Sequence, residues 1–353
     1  MKKIISMILA LAMVLALAGC AGTTVVVNNY NYYGTDATET AATTPAETEA
    51  TELIVAEGAV RTGLAIVTGL GTTDATAAEA GTAEFSITLA AILVDENDVI
   101  LDCSIDAIGH KFTFDTTGSI TSDITAEVLT KNELGDNYNM KTYGGALAEW
   151  YEQVDAFEGY CIGKSIEEIQ NGVLNDEGYA AAADLATSAT INLSDYLNAL
   201  LTAHTNAKVL GAEAGDKLVL SCTTSLKESK QGNAELDVDA VALTTNDQGV
   251  ITSCQIDALQ GKATIDETGA VTAHQVETKN MLGADYNMVA YGGATYEWFE
   301  QAANFASYIT GKTAAEVAGI AMTEATKPAD ADLATSVTIS IIGFKNLIAK
   351  ALG

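Results

Sequence analysis

The chain of 353 residues carries 47 Asp and Glu against 17 Lys and Arg, a formal net charge of −30. A surface of that sign repels nucleic acid and anionic lipid headgroups; it excludes nucleic-acid binding and leaves a loose attraction for cations. Only two prolines occur, so breaks between elements fall to Gly, Asn and Asp.

Residues 1–19 have the layout of an export signal. Lys2 and Lys3 precede an apolar run from Ile4 to Leu17, shorter than the roughly 20 residues a spanning helix needs. Leu17-Ala18-Gly19-Cys20 resembles the lipobox of bacterial lipoproteins. The resemblance implies cleavage before Cys20 and a diacylglycerol on its sulfur, anchoring the chain at the extracytoplasmic face of the membrane without spanning it. The alternative is an ordinary signal peptide with a chance cysteine. Cleavage removes two lysines, leaving 15 basic against 47 acidic residues and a charge of −32. Residues 20–57 read as a disordered Thr/Ala/Glu-rich tether, with VVVNNYNYY as a stray strand.

The rest of the chain is written twice. TKNELGDNYNMKTYGGALAEWYEQ from Thr130 answers TKNMLGADYNMVAYGGATYEWFEQ from Thr278, with 16 of 24 positions identical. CSIDAIGHK from Cys103 answers CQIDALQGK from Cys254. A period near 150 residues is the size of a domain, not of a solenoid repeat. The expected organisation is repeat domain 1 over 58–203 and repeat domain 2 over 208–353, joined at His204-Thr205-Asn206.

Each copy opens with strands. EFSITLAAILVDENDVILDCSIDAI turns at Asp95 to Asp98, and ELDVDAVALTTNDQGVITSCQIDAL at Asn246 to Gly249. KFTFDTTGSIT and KATIDETGAVT follow as hairpins with Thr-Gly tips. Partial alternation predicts an antiparallel sheet with one wet face. Helices come next. Trp150, Val154 and Phe157, like Trp298, Ala302 and Phe305, recur at helical spacing. Short helices start at the caps Ser165 and Thr313. The last helices carry Leu193, Leu197, Leu200 and Leu201, or Phe344, Leu347, Ile348 and Leu352. Strands first and helices last predict an α+β fold: two tandem copies of one domain, each an antiparallel sheet followed by helices.

Just before each final helix stand Asp184-Leu185-Ala186-Thr187-Ser188-Ala189-Thr190 and Asp332-Leu333-Ala334-Thr335-Ser336-Val337-Thr338. These segments resemble the flavin-attachment pattern of FMN-binding domains, in which Asp, two variable residues and Ser or Thr lead into Gly-Ala-Thr. The preceding YCIGKSIEEIQ and YITGKTAAEVAG resemble the Gly-Lys-Thr short helix of the same family. The resemblance implies FMN joined by a phosphodiester to Thr190 and Thr338, an external FMN transferase, and electron transfer to redox partners. Asp184, Thr187, Ser188, Asp332, Thr335 and Ser336 would support the segment, with helix N–H groups cradling the phosphate. Ser188 and Ser336 depart from the family's glycine, and Val337 from its alanine. Read from the residues alone, Asp, Thr and Ser before an apolar helix are N-caps.

A second candidate surface is Tyr138, Asn139, Gly144 and Gly145 with its twin Tyr286, Asn287, Gly292 and Gly293. Glycines permit close backbone approach by a ligand, here a small molecule or a cell-wall component, and tyrosines stack on rings. A shaped turn over packed Tyr and Met is the other reading. No catalytic constellation and no metal-type spacing of His or Cys occurs. The expectation is an electron carrier or binding protein rather than an enzyme. Cys103, Cys161, Cys222 and Cys254 read as buried small hydrophobes, with a Cys222–Cys254 bridge as the alternative.

Overall fold

The computed structural model describes residues 24–27 and 56–353; the signal segment, Cys20 and most of the tether lie outside these. In chain order the strands and helices are β1 (Thr24–Val27), β2 (Arg61–Thr73), β3 (Gly81–Val94), β4 (Ile100–Phe114), α1 (Lys131–Leu134), α2 (Met140–Gly144), α3 (Trp150–Cys161), α4 (Ile166–Gly172), α5 (Ala183–Ala186), α6 (Ser194–Thr205), β5 (Lys208–Val209), β6 (Lys217–Ser225), β7 (Asn233–Thr245), β8 (Ile251–Ile265), β9 (Val271–Gln275), α7 (Lys279–Leu282), α8 (Trp298–Ile309), α9 (Ala314–Ala318), α10 (Ala331–Ala334) and α11 (Ile342–Leu352). The fold is α+β: two antiparallel sheets, each followed by helices.

The first sheet runs β1-β2-β3-β4, with β5 also on β2; the second runs β6-β7-β8-β9. The turns form where side chains make them cheap. Asp95 Oδ1 accepts from the N–H of Asn97 and Val99, and Asn246 Oδ1 does the same for Gln248 and Val250. Asp115 and Asp266 tie the Thr-Gly tips in the same way. In the second copy the hairpin returns as β9; in the first it shrinks to the single bridge Phe114–Ile120.

Neither sheet has a face that is wet along its whole length, which corrects the expectation of one; only the far end of the outer face, at Glu84, Ser86 and Lys111 in the first copy, stays exposed. The sheets stack on each other, and each carries helices on its other side. Along β3, Phe85, Ile87, Leu89, Ala91 and Leu93 point to a core shared with Leu236, Val238, Ala240 and Ala242 of β7. The alternate residues Ala90, Ile92 and Val94 point to α3 and α6. In the second copy Val241 and Leu243 meet α8 and α11. A strand covered on both sides needs apolar residues at every position, which is why ITLAAILV reads as a continuous run. The copies therefore share one central core between two outer ones.

Polar contacts join the halves as well. Thr62 Oγ1 lies 2.7 Å from Ser253 Oγ, Gln255 Oε1 accepts from Leu64 N at 3.1 Å, and Gln255 Nε2 donates to Thr62 O at 2.9 Å. Gln255 thereby occupies open backbone groups on the edge of β2 between β5 and β1. The ends assigned to joint and tether shift accordingly. His204 and Thr205 belong to α6, and Lys208 and Val209 pair with Thr62 and Arg61 of the first sheet. Thr24–Val27, read as part of the tether, pairs with Gly69–Thr72 of β2. Among the described residues no helix is long and apolar enough to cross a membrane.

Candidate functional site

The near-identical block is a bracket between the sheet and the Trp helix. Thr130 and Thr278 cap α1 and α7. Asn132 and Asn280 fix these short helices to the strand behind. Their side chains donate to Ile105 O at 3.1 Å and Ile256 O at 3.0 Å, and their N–H groups donate to Asp106 and Asp257. Burial pushes Asp257 up to about 6. Lys131 lies over the rings of Tyr138 and Trp150, both at 5.1 Å; Lys279 lies over Tyr286 at 5.1 Å and Trp298 at 5.0 Å. Tyr138 and Tyr286 are half-buried partners of a lysine, not an open stacking platform.

The following loop hangs from a buried glutamate. Glu149 accepts from Met140 N at 2.7 Å and Lys141 N at 3.2 Å; Glu297 accepts from Met288 N at 2.8 Å and Val289 N at 3.0 Å. Each also caps its helix, α3 or α8, in a capping box with Glu152 or Glu300. Asn139 and Asn287 take left-handed φ of 61° and 63°, with their amides donating to the backbone at Asn137 and Asp285. Gly145 and Gly293 are left-handed too, and a Cβ on Gly292 would strike Met288 O. These residues shape a stiff turn rather than a pocket wall. Held out at its tip are Tyr143, 86 % exposed, and Tyr291, 88 % exposed. Neither side chain has a hydrogen-bond or ring partner among the described residues.

The two motif segments meet through a residue that sequence reasoning passed over. Gln153 is fully buried on α3, one helical step from Trp150. Its amide donates to Ala148 O at 3.1 Å, and its Oε1 accepts from Thr190 N at 2.8 Å and Thr190 Oγ1 at 3.0 Å. Gln301 repeats this with Tyr296 O at 2.8 Å and Thr338 at 2.8 and 3.2 Å. Its signal was available: a polar residue, identical in both copies, on an otherwise apolar helical stripe.

This arrangement bears on the flavin pattern. Thr190 does not start the last helix, because Ile191, Asn192 and Leu193 intervene and α6 begins at Ser194. Asp184 to Ala186 and Asp332 to Ala334 instead lie within the separate four-residue helices α5 and α10. Thr187 and Thr335 donate back to Asp184 O and Asp332 O. The N–H groups of Ser188 and Ala189 both reach Leu185 O, and those of Ser336 and Val337 reach Leu333 O. The N–H groups of Ser188, Ala189 and Thr190, like those of Ser336, Val337 and Thr338, are therefore engaged within the protein, and the acceptor hydroxyl is tied to a buried amide. The residues do not fit a pre-built phosphate site. They do not cap the last helix either: Asn192 Oδ1 accepts from Ser194 N there.

The four described cysteines are buried and free, so no Cys222–Cys254 bridge forms. Burial pushes Cys161 and Cys222 up to about 12 and raises Cys103 and Cys254 well above the usual thiol range, leaving inert thiols. No group of metal-ligating side chains is present among the described residues. No protein-family model matches the chain, and no curated protein or solved structure matches it either.

Proposed function

We propose that this is a lipid-anchored, extracytoplasmic binding protein whose two Tyr-tipped loops dock on a cell-wall glycan. The observation that carries the reading is the near-complete exposure of Tyr143 and Tyr291. Within a block whose other identical side chains largely cap, clamp or pack, these two have no structural task. An aromatic ring on a loop pinned by a buried carboxylate loses little entropy on binding, and a sugar ring presents a C–H face of matching size. Leu147, 85 % exposed, enlarges the apolar tip in the first copy. The loops belong to helix layers on opposite sides of the sandwich, so one molecule holds two strands, and loss of one tyrosine weakens binding less than loss of both.

Co-sedimentation of the mature chain with purified peptidoglycan tests this. Tyr143→Ala with Tyr291→Ala should reduce binding about tenfold or more, while Tm changes little because exposed side chains contribute little to stability. Retention of full binding by the double variant would sink the reading. Covalent flavin is the second reading, favoured by one observation: Thr190 is exposed on a segment both copies share. In-gel flavin fluorescence from a host with an FMN transferase decides it. A fluorescent band lost in Thr190→Ala with Thr338→Ala would establish covalent flavin and make electron transfer the working function in place of glycan binding.

A further inference from the structure

The strand nearest the anchoring cysteine is set into the first sheet. β1 runs antiparallel to β2, with Thr24 beside Thr72 and Val27 beside Gly69. Thr24 therefore stands at the far end of β2, and the chain before it leaves the sheet there. Only Ala21, Gly22 and Thr23 separate Thr24 from Cys20. Four Cα steps cover at most about 14 Å. β2 is 13 residues long and spans about 40 Å. With β1 in place, Cys20 reaches one end of the sandwich and not the other.

That end is shared by both copies. The loop over 74–80, the two Thr-Gly tips and the turn before β7 are stitched together there. Ala75 N donates to Gly269 O at 2.8 Å, Gly232 N to Gly118 O at 2.8 Å, Gln231 Nε2 to Thr117 O at 3.3 Å and Val271 N to Asp74 Oδ1 at 2.9 Å. A Cβ on Gly118 would meet Asp266 O at 2.8 Å, so the end is closely packed as well as bonded. Its surface shows Thr116, Thr117, Glu267 and Thr268, and none of the large exposed hydrophobics. Such an end lies against lipid headgroups without inserting, and its carboxylates give it no attraction of its own for anionic lipid. Contact then depends on the covalent lipid and the short reach from β1. We infer that the anchored molecule rests on the headgroup layer by this end, with the Asp95–Asp98 and Asn246–Gly249 turns farthest from the membrane. The inference rests on the lipid anchor proposed above. The helix layers that carry Tyr143 and Tyr291 flank the strands, so this orientation leaves both loops uncovered.

Energy transfer from one dye to headgroup-labelled lipid tests this on the full lipidated chain in phosphatidylcholine–phosphatidylglycerol vesicles. The four described cysteines are buried and Cys20 is blocked by its lipid, so a dye enters only at an added thiol. Thr116→Cys and Asn97→Cys supply it at two exposed positions. They lie beyond opposite ends of β4, about 45 Å apart at roughly 3.3 Å per residue. The dye at position 116 should be quenched and the dye at 97 spared. Val25→Pro with Val26→Pro withdraws N–H groups from β1 without touching the core, so the chain still folds and the difference between the two sites should be lost. Equal transfer from the two sites without the prolines, stronger transfer from position 97, or a difference that survives the prolines overturns the inference. Failure of the anchor itself reads differently: a chain that lacks the diacylglycerol mass and does not float with the vesicles removes the anchored reading, and this orientation with it, before any dye is measured.

Discussion

Glu158 shows how one side chain can set a pH dependence for the molecule. It lies at the edge of the first outer core, where its Oε1 accepts from Ile105 N at 2.5 Å. Burial, with Asp155, Asp102 and Asp106 nearby, pushes it up to about 8. The folded state therefore keeps this proton after the unfolded chain has released it near 4.5. Stability is full below pH 4.5, falls as pH rises to about 8, and is flat beyond. At one pKa unit per 1.36 kcal/mol, the shift from 4.5 to about 8 makes the loss on the order of 5 kcal/mol. Glu158→Gln keeps the acceptor without the charge, so urea denaturation at pH 5 and pH 8 should show the slope flattened and the variant more stable at pH 8. The equivalent position in the second copy is Ala306, and the sequence gives no hint of the shift because Glu158 falls on the exposed side of the helical pattern until β4 is packed against it.

At the scale of elements, local signals were readable and tertiary ones were not. Ser165 and Thr313 cap α4 and α9 in reciprocal boxes with Glu168 and Glu316, all within four residues of chain. The last helix was harder to place. Leu185, Ala189 and Leu193 recur every four residues and lead smoothly into α6, yet the hydrogen bonds from Thr190 to Gln153, 37 positions earlier, separate α5 from it. The choice of tyrosine was missed for the same kind of reason: Tyr138 and Tyr143 look alike in sequence, and only the position of Lys131 separates the packed ring from the free one. The seat of α6 on the sheet is also decided by one residue. A Cβ on Gly63 would lie 2.0 Å from Ala203 O in the last turn of the helix. Gly63→Ala must push that turn off β2, and a loss of about 1–3 kcal/mol in urea unfolding is expected. An unchanged midpoint would show that the helix end is not held there.

For the whole molecule, the consequence of the shared core is cooperativity. Phe85 of the first copy is fully buried, packs edge-on with Phe112 at 6.0 Å, and reaches so far into the second sheet that a Cβ on Gly261 would meet its ring at 2.9 Å. The duplicated sequence suggests two independent domains, whereas the structure predicts one calorimetric transition. Phe85→Ala and Leu236→Ala, one in each copy, should each lower that single transition, by about 3–5 and 2–5 kcal/mol respectively. Two separable transitions, each sensitive to its own variant only, would show that the copies unfold independently.

By itself the sequence determined the duplication, the strands-then-helices order, the turn chemistry and the short-helix caps, because each of these depends on residues a few positions apart or on direct comparison of two stretches of chain. The tertiary structure decided what covers each sheet, which tyrosines remain free, and how Gln153 and Gln301 occupy the threonine hydroxyls. All three depend on groups distant in sequence that meet only after the two sheets and their helix layers have stacked, and burial then fixes which polar atoms find a partner.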